Sequence, residues 1–208
     1  MRRAWLAIVL AALVLAPGSA ALRGQNNTRD AQRLIAEMGV TAGMTVGEIG
    51  AGSGELTVLM AQHVGPAGKV YSTEISEQRL ADIRNAVSAA RLQNVTVLQA
   101  GAESSNLDAG CCDAIFMRNV YHHFAQPAPI NTSLFAALKP GGRLAIVDFP
   151  PGNGAEAPTP SARAADGTHG VKKETVAREL EAAGFVRVKV EEPGNGQEGF
   201  LVLMRKPG

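Results

Sequence analysis

From position 26 onward, short apolar runs alternate with longer stretches whose apolar residues recur every three to four positions. A short apolar, β-branched run suits a strand, whereas the three-to-four spacing gathers apolar side chains on one face of a helix. Strands are predicted at 45–49, 69–74, 95–99, 113–118 and 143–148, and helices at 29–38, 55–63, 77–89, 128–138 and 172–183. Gly, Pro or polar residues border each of them. In the first helix Leu34, Ile35 and Met38 share a face and Gly39 closes it. Such alternation builds a mostly parallel sheet with helices on both sides, a doubly wound α/β domain. Residues 192–199 are too few for a crossover helix between the last two strands, at 185–191 and 200–205. These two therefore pair as an antiparallel hairpin, and the sheet ends with one reversed strand.

Ahead of this body, Arg2 and Arg3 precede an uncharged apolar stretch, 4–16, followed by Pro17, Gly18, Ser19 and Ala20. A basic start, an apolar middle and small residues before a cut make the layout of a secretory leader. The chain thus divides into a signal peptide, 1–20, and one domain, 21–208, with an exported location, periplasmic or secreted, as the expectation. The apolar stretch falls short of the roughly 18 residues that span a bilayer, so membrane attachment is expected only if the leader stays uncleaved. The paired arginines also bear a weak resemblance to signals that export folded proteins.

Composition narrows the partner. The whole chain carries a formal charge of +1, and without the leader 18 basic residues face 19 acidic ones. Aromatic residues make up only 4%, too few to interleave with a basic groove, so the expected partner is a small molecule and not a nucleic acid. Four histidines and one adjacent pair of cysteines give no metal-ligand spacing, and no metal is expected. Neighbours in sequence rarely reach unstrained disulfide geometry, so Cys111 and Cys112 are expected unpaired, as small residues opening a strand. Residues 149–170 are rich in Pro, Gly and Ala without periodicity. They read either as a lid beside the ligand edge or as a slack linker.

The chemistry concentrates after the first strand, where Glu48-Ile49-Gly50-Ala51-Gly52-Ser53-Gly54-Glu55 puts a glycine-rich turn between strand and helix. In a doubly wound sheet this is where ligands bind, and glycines let the ligand come close to the backbone. A dinucleotide fingerprint wants a third glycine at position 55, against the helix start that holds a diphosphate, but Glu55 stands there and would repel one. That opposes an oxidoreductase using a nicotinamide dinucleotide. A phosphate-gripping loop is excluded too, because no Gly-Lys-Ser/Thr follows Gly50 at the required distance. The turn suits a nucleoside without phosphate, and S-adenosylmethionine is one, joining adenosine to a sulfonium and a free amino acid end. Glu48 at the first strand tip suits its cationic side, and Glu74 at the second suits both ribose hydroxyls.

With the segment 112–124, Cys-Asp-Ala-Ile-Phe-Met-Arg-Asn-Val-Tyr-His-His-Phe, and the segment 138–144, Leu-Lys-Pro-Gly-Gly-Arg-Leu, these residues resemble the class I S-adenosylmethionine-dependent methyltransferase superfamily, in its small-molecule, quinone-biosynthesis-like branch. The resemblance covers roughly 29–205 and implies a Rossmann-like seven-stranded sheet whose last strand is antiparallel. It also implies cofactor contacts from Glu48, Gly50, Ala51, Gly52, Ser53, Gly54, Glu74, Ile75, Ala102, Glu103 and Asn119. Many relatives carry Asp where Gly101 stands, which makes Glu103 the candidate for the adenine amino group.

A sulfonium is an activated methyl donor, so the protein needs mainly to align the reactants, exclude water and remove a proton. Tyr121, His122 and His123 after the fourth strand, Asp148 after the fifth and His169 in the segment 149–170 are the acceptor-side candidates. A histidine is either the general base or a packing and capping residue. The Asn/Asp-Pro-Pro-aromatic pattern of exocyclic amino-group methyltransferases is absent from Arg118-Asn119-Val120-Tyr121, and the thiols are poorly placed for arsenite chemistry. Oxygen or carbon nucleophiles of a small molecule remain. The alternative is an exported protein that binds the nucleoside without catalysis, since the donor is expected mainly in the cytosol.

Overall fold

The computed structural model describes residues 19–152, 154–165, 170–193 and 199–208, with side chains from Asn26 onward. The expected leader, 1–20, lies outside them but for the backbone of Ser19 and Ala20, and His169 lies outside them as well. Seven strands form one sheet: β1 (Thr45–Ile49), β2 (Lys69–Glu74), β3 (Val95–Gln99), β4 (Cys112–Arg118), β5 (Leu138–Asp148), β6 (Val186–Glu191) and β7 (Phe200–Arg205). Among the described residues six helices accompany them: α1 (Ser19–Met38), α2 (Glu55–Val64), α3 (Glu77–Ala89), α4 (Pro127–Ala137), α5 (Pro160–Ala165) and α6 (Lys173–Ala182). A 3₁₀ turn, Tyr121–His123, follows β4.

The sheet order is β3-β2-β1-β4-β5-β7-β6. Strands β1 to β5 run parallel, and β7 lies antiparallel to both β5 and β6. The expected Rossmann-like sheet with a reversed last strand is what forms. Period-two alternation explains how it is covered on both faces. Ile115 and Met117 of β4, Leu144 and Ile146 of β5 and Val202 and Met204 of β7 face a core closed by α4 and α6. Their neighbours Ala114, Phe116, Ala145, Val147, Leu201 and Leu203 face a second core under α1 and α2. Among the described residues no helix is long and apolar enough to cross a membrane.

Three expectations are corrected here. Cys111 and Cys112 are joined by a disulfide. Side chains of adjacent residues diverge within a strand, but Cys111 belongs to the turn before β4, tied by its N–H to Asp108 O, and only Cys112 is in the strand. The segment 149–170 is not slack along its described length, for it contains α5 and the fully buried Arg163. Arg163 donates to Glu179 of α6 at 3.4 and 3.5 Å and lies 3.9 Å from Glu156. Glu156 also accepts from Lys172 N and Thr175 Oγ1, at 3.0 and 2.7 Å. An ion-pair tie of this kind carries no periodicity, so the pattern of apolar residues does not reveal it. Strand β5 also starts earlier than expected, at Leu138, because Leu138 pairs with Cys112 across a register shift ahead of the main ladder.

Candidate active site

Strand order reverses between β1, which hands the chain to β2 on one side, and β4, which hands it to β5 on the other. Ligands in open α/β sheets bind at this point, outside the carboxyl ends of the strands. A cavity of about 660 Å³ opens there, the size of a small-molecule site. The glycine turn and Glu48 form one wall, Glu74, Ile75 and Arg79 a second, and Arg118, Asn119, Val120, His123 and Phe124 a third.

The turn is held by its neighbours. Gly50 N and Ala51 N donate to Thr73 O at 2.9 and 3.0 Å, and Gly52 N donates to Glu74 Oε2 at 3.0 Å. Gly50 and Gly52 both have positive φ, 66° and 59°, which L side chains rarely adopt. Their surroundings differ. A Cβ at 50 would fall 2.5 Å from Val120 Cγ2, whereas a Cβ at 52 would meet no protein atom within 4 Å. The crest of the turn therefore has open space in front of it. Glu74 accepts from Ile75 N at 2.7 Å besides Gly52 N, so it braces the turn while standing on the cavity wall.

Glu48 ends up deeper than its place at a strand tip implies. Only 3% of it is exposed, and its Oε2 accepts from Thr57 Oγ1, itself 2.8 Å from Ser72 Oγ. Burial, the dominant influence, pushes its pKa up to about 8 against the Thr57 hydrogen bond and the Arg118 charge, with Glu55 and Glu74 adding to the rise.

The residues after β4 diverge because a 3₁₀ turn sends successive side chains about a third of a revolution apart. Tyr121 points into the core, fully buried; its hydroxyl donates to Glu179 Oε2 at 2.9 Å and accepts from Asn131 Nδ2 at 2.8 Å. Burial, then Glu179, raises its pKa well above the ordinary phenol value, so it is no proton acceptor near neutrality. His122 is buried with Nδ1 2.9 Å from Asp148 Oδ1, and its backbone N–H donates to Asp148 Oδ2 at 3.1 Å. Asp148 is fully buried and also accepts from Phe149 N at 2.8 Å. Tyr121, His122 and Asp148, expected at the acceptor side, thus lie behind the cavity wall. His123 alone of the four reaches it. Its ring centroid is 3.9 Å from that of His122, which in turn is 4.6 Å from Phe149. Burial and the neighbouring His122 lower the pKa of His123.

Of the other expected contacts, Gly50, Ala51, Gly52, Ser53, Glu74, Ile75, Ala102 and Asn119 are on the wall. Gly54 packs against Ile83 instead, and Glu103 turns away to accept from Gln126 Nε2 at 2.7 Å. Asn119 sits in the left-handed region at φ 57°, a conformation that asparagine tolerates better than most residues, with its N–H on Val147 O. Arg79 and Arg118 were missed by sequence reasoning. Arg79 lies in the first turn of α3, soon after Glu74, and Arg118 is the last residue of β4, so their positions at strand and helix ends were the available signal. Arg79 donates to Ser53 Oγ at 2.8 Å, and Arg118 donates to Asp30 Oδ2 at 2.6 Å. Among the described residues no cluster of His, Cys, Asp and Glu is arranged to hold a metal.

The site fits a phosphate-free nucleoside with a cationic tail. The space before Gly52 admits a ligand against the backbone, a carboxylate stands beside it, and Glu55 at the start of α2 lines the cavity with a charge that opposes a diphosphate. Comparison with known proteins points the same way. A methyltransferase-domain family matches residues 40–184. The ubiquinone/menaquinone biosynthesis C-methyltransferase UbiE of Marinomonas sp. is 31% identical over 116 residues, 55% of this chain and 46% of that protein. The chain spans about half the length of the curated relatives it matches. A SAM-dependent methyltransferase from Aquifex aeolicus superposes with a TM-score of 0.72 at 26% identity, covering 90% of this chain and 97% of that one. The Haemonchus contortus phosphoethanolamine N-methyltransferase 2, solved with S-adenosyl-L-methionine, shares the fold, with a TM-score of 0.71 at 16% identity over 86% of this chain and 53% of that one.

Proposed function

Because the chain belongs to the methyltransferase-domain family, we propose that it transfers a methyl group from S-adenosylmethionine to an oxygen or carbon nucleophile of a small molecule, with His123 taking the acceptor's proton. The observation that carries this reading is the open cradle before Gly52 with Glu74 beside it. Ile75 N and, at 3.5 Å, Ser76 N occupy Oε1 of Glu74 and Gly52 N takes one site on Oε2, which leaves Oε2 able to accept from the ribose hydroxyls' side. Ile75, 58% exposed, offers an apolar surface for the base, together with Ala102. Glu48 serves the cationic end.

The bound donor supplies a methyl already activated by its positive sulfur. What is left to the protein is alignment, exclusion of water and acceptance of a proton. His123 suits the last task, since its lowered pKa keeps the imidazole neutral, with a ring nitrogen lone pair free to take a proton, near pH 7. Asp148 and His122 act behind it as positioning residues: three hydrogen bonds fix the carboxylate, the carboxylate fixes His122, and the His122 ring packs at a tilt against that of His123. Val120, Phe124 and Ile130 give the wall beside His123 an apolar surface suited to a ring-bearing acceptor. The quinone-pathway role named for the UbiE relatives supports phenols and quinols as the acceptors to try first. Export behind residues 1–20 is part of the same proposal, supported by the layout of that segment alone.

Titration calorimetry with S-adenosylmethionine, followed by transfer of a labelled methyl group to a panel of phenols, quinols and amines, tests the reading. The expected result is binding, turnover on a phenol or quinol, and a His123→Ala variant that binds the donor normally but turns over slowly. Absence of donor binding refutes the cofactor assignment, and turnover confined to amines refutes the acceptor class.

A further inference from the structure

Three carboxyls, Glu48, Glu55 and Glu74, line the cavity, while both of its guanidinium groups are engaged with other acids, Arg118 with Asp30 at 2.6 Å and Arg79 with Asp82 at 3.7 Å. Glu74 is held by backbone N–H groups and Glu55 is exposed to solvent. Glu48 has neither arrangement. It is buried, and its hydrogen-bond partner is the Thr57 hydroxyl of α2, which lies 2.8 Å from the Ser72 hydroxyl of β2.

A hydroxyl both donates and accepts, so this row of three side chains can run in either direction. With a protonated carboxyl, Glu48 donates to Thr57 and Thr57 donates to Ser72. With a carboxylate, Ser72 donates to Thr57 and Thr57 donates to Glu48. No heavy atom has to move between the two states. The charges around Glu48 are opposed: Arg118 from β4 favours the ion, while Glu55 from α2, Glu74 from β2 and burial itself favour the neutral acid.

We propose that Glu48 recognises the positive charge of the ligand by exchanging a proton: it is a neutral acid while the cavity holds no cation, and it becomes a carboxylate when a cationic tail enters. The carboxyl O–H bond breaks, the proton goes to solvent, and the electron pair stays on the carboxylate that neutralises the incoming charge. Glu48 is then a specificity residue, since a neutral nucleoside occupying the same cradle draws no ion pair from it. The inference rests on the reading that this cavity takes S-adenosylmethionine.

The test is calorimetry at about pH 7 in two buffers of different ionisation enthalpy, on the full chain and on Glu48→Gln. The probes are S-adenosylmethionine and 5′-methylthioadenosine, which has the nucleoside but no cation. An acid titrating at about 8 is roughly nine-tenths protonated at that pH, so wild-type protein is expected to release close to one proton more than Glu48→Gln on binding S-adenosylmethionine. With 5′-methylthioadenosine the two proteins are expected to agree. Thermal unfolding of Glu48→Gln checks that it is folded. Equal proton release by both proteins on binding S-adenosylmethionine overturns the proposal and leaves the cofactor reading standing. Failure of S-adenosylmethionine to bind folded wild-type protein removes the cofactor reading, and this proposal with it.

Discussion

Alanine placed at two positions of the same turn separates the turn's packing from its contact with the ligand. At Gly52 the added methyl group meets no protein atom within 4 Å, so the folded protein bears only the strain of an L-residue at φ 59°, about 1–2 kcal/mol. At Gly50 the same strain is joined by a clash, with Cβ 2.5 Å from Val120 Cγ2 and 3.0 Å from Val120 Cγ1, which adds about 1–3 kcal/mol of overpacking. Urea unfolding should therefore rank the stabilities as wild type, then Gly52→Ala, then Gly50→Ala. Binding should not follow that order. The methyl group at 52 enters the space reserved for the nucleoside, and an overpacking penalty of about 1–3 kcal/mol weakens Kd by roughly 5- to 150-fold. Gly52→Ala is thus expected to be a well-folded protein that binds S-adenosylmethionine poorly in calorimetry. Wild-type affinity in Gly52→Ala would refute the placement of the ligand against the turn, and a Gly50→Ala variant as stable as Gly52→Ala would refute the packing of the turn on Val120.

Further outcomes follow from other residues. Burial and His122 lower the pKa of His123, so the acid limb of the turnover profile should lie below the ordinary imidazole range near 6.5; His123→Ala should remove the limb and cost about 10²–10⁴ in rate in a stopped assay of methyl transfer. Glu48 titrates near 4.5 unfolded and at about 8 folded, so between those values the native state holds a proton the unfolded chain has released. Its contribution to stability is complete below about pH 4.5 and is lost as pH rises through about 8, and urea midpoints of Glu48→Gln should lack that slope. Arg163→Met should cost about 3 kcal/mol in urea unfolding, the lower end for a broken buried ion pair, because Glu156 and Glu179 each retain 18% side-chain exposure. Intact mass measured on protein recovered from outside the cytoplasm should show a chain starting at Ala21; a chain retaining Met1 and Arg2 there would contradict cleavage of the leader.

The sheet was legible because β4, β5 and β7 are apolar on both faces, β6 alternates valine with charged residues, and the helices gather their apolar residues on one face, patterns that separate the two kinds of element. Helix α3 and strand β7 begin and end where the pattern changes, and Ser76 caps α3 by accepting from Arg79 N. The glycine turn and Glu74 were equally plain, since the turn needs residues without a Cβ and the acid comes at the next strand tip. Facing directions within Tyr121–His123 were not legible. Three adjacent polar aromatic residues look alike in sequence, and the 3₁₀ geometry alone sends the first into the core, the second onto Asp148 and the third to the cavity. Arg163 escaped for a related reason: its two acids lie at 156 and 179, on either side of it in the chain, and only the folded chain collects them around one guanidinium.

That collection limits how the molecule can be re-engineered. Helix α5 reaches the cavity rim, where Ser161 donates to the carbonyl of Ala125, a wall residue. A loop transplanted from a relative to change acceptor preference would have to bring its own rivet to Glu179, or leave that acid, which accepts from the Tyr121 hydroxyl, without its counter-charge. Diversification is cheapest in the stretch between β5 and α5 that lies ahead of Glu156, where Pro150 and Gly152 are exposed and a library of insertions would leave the fastening intact.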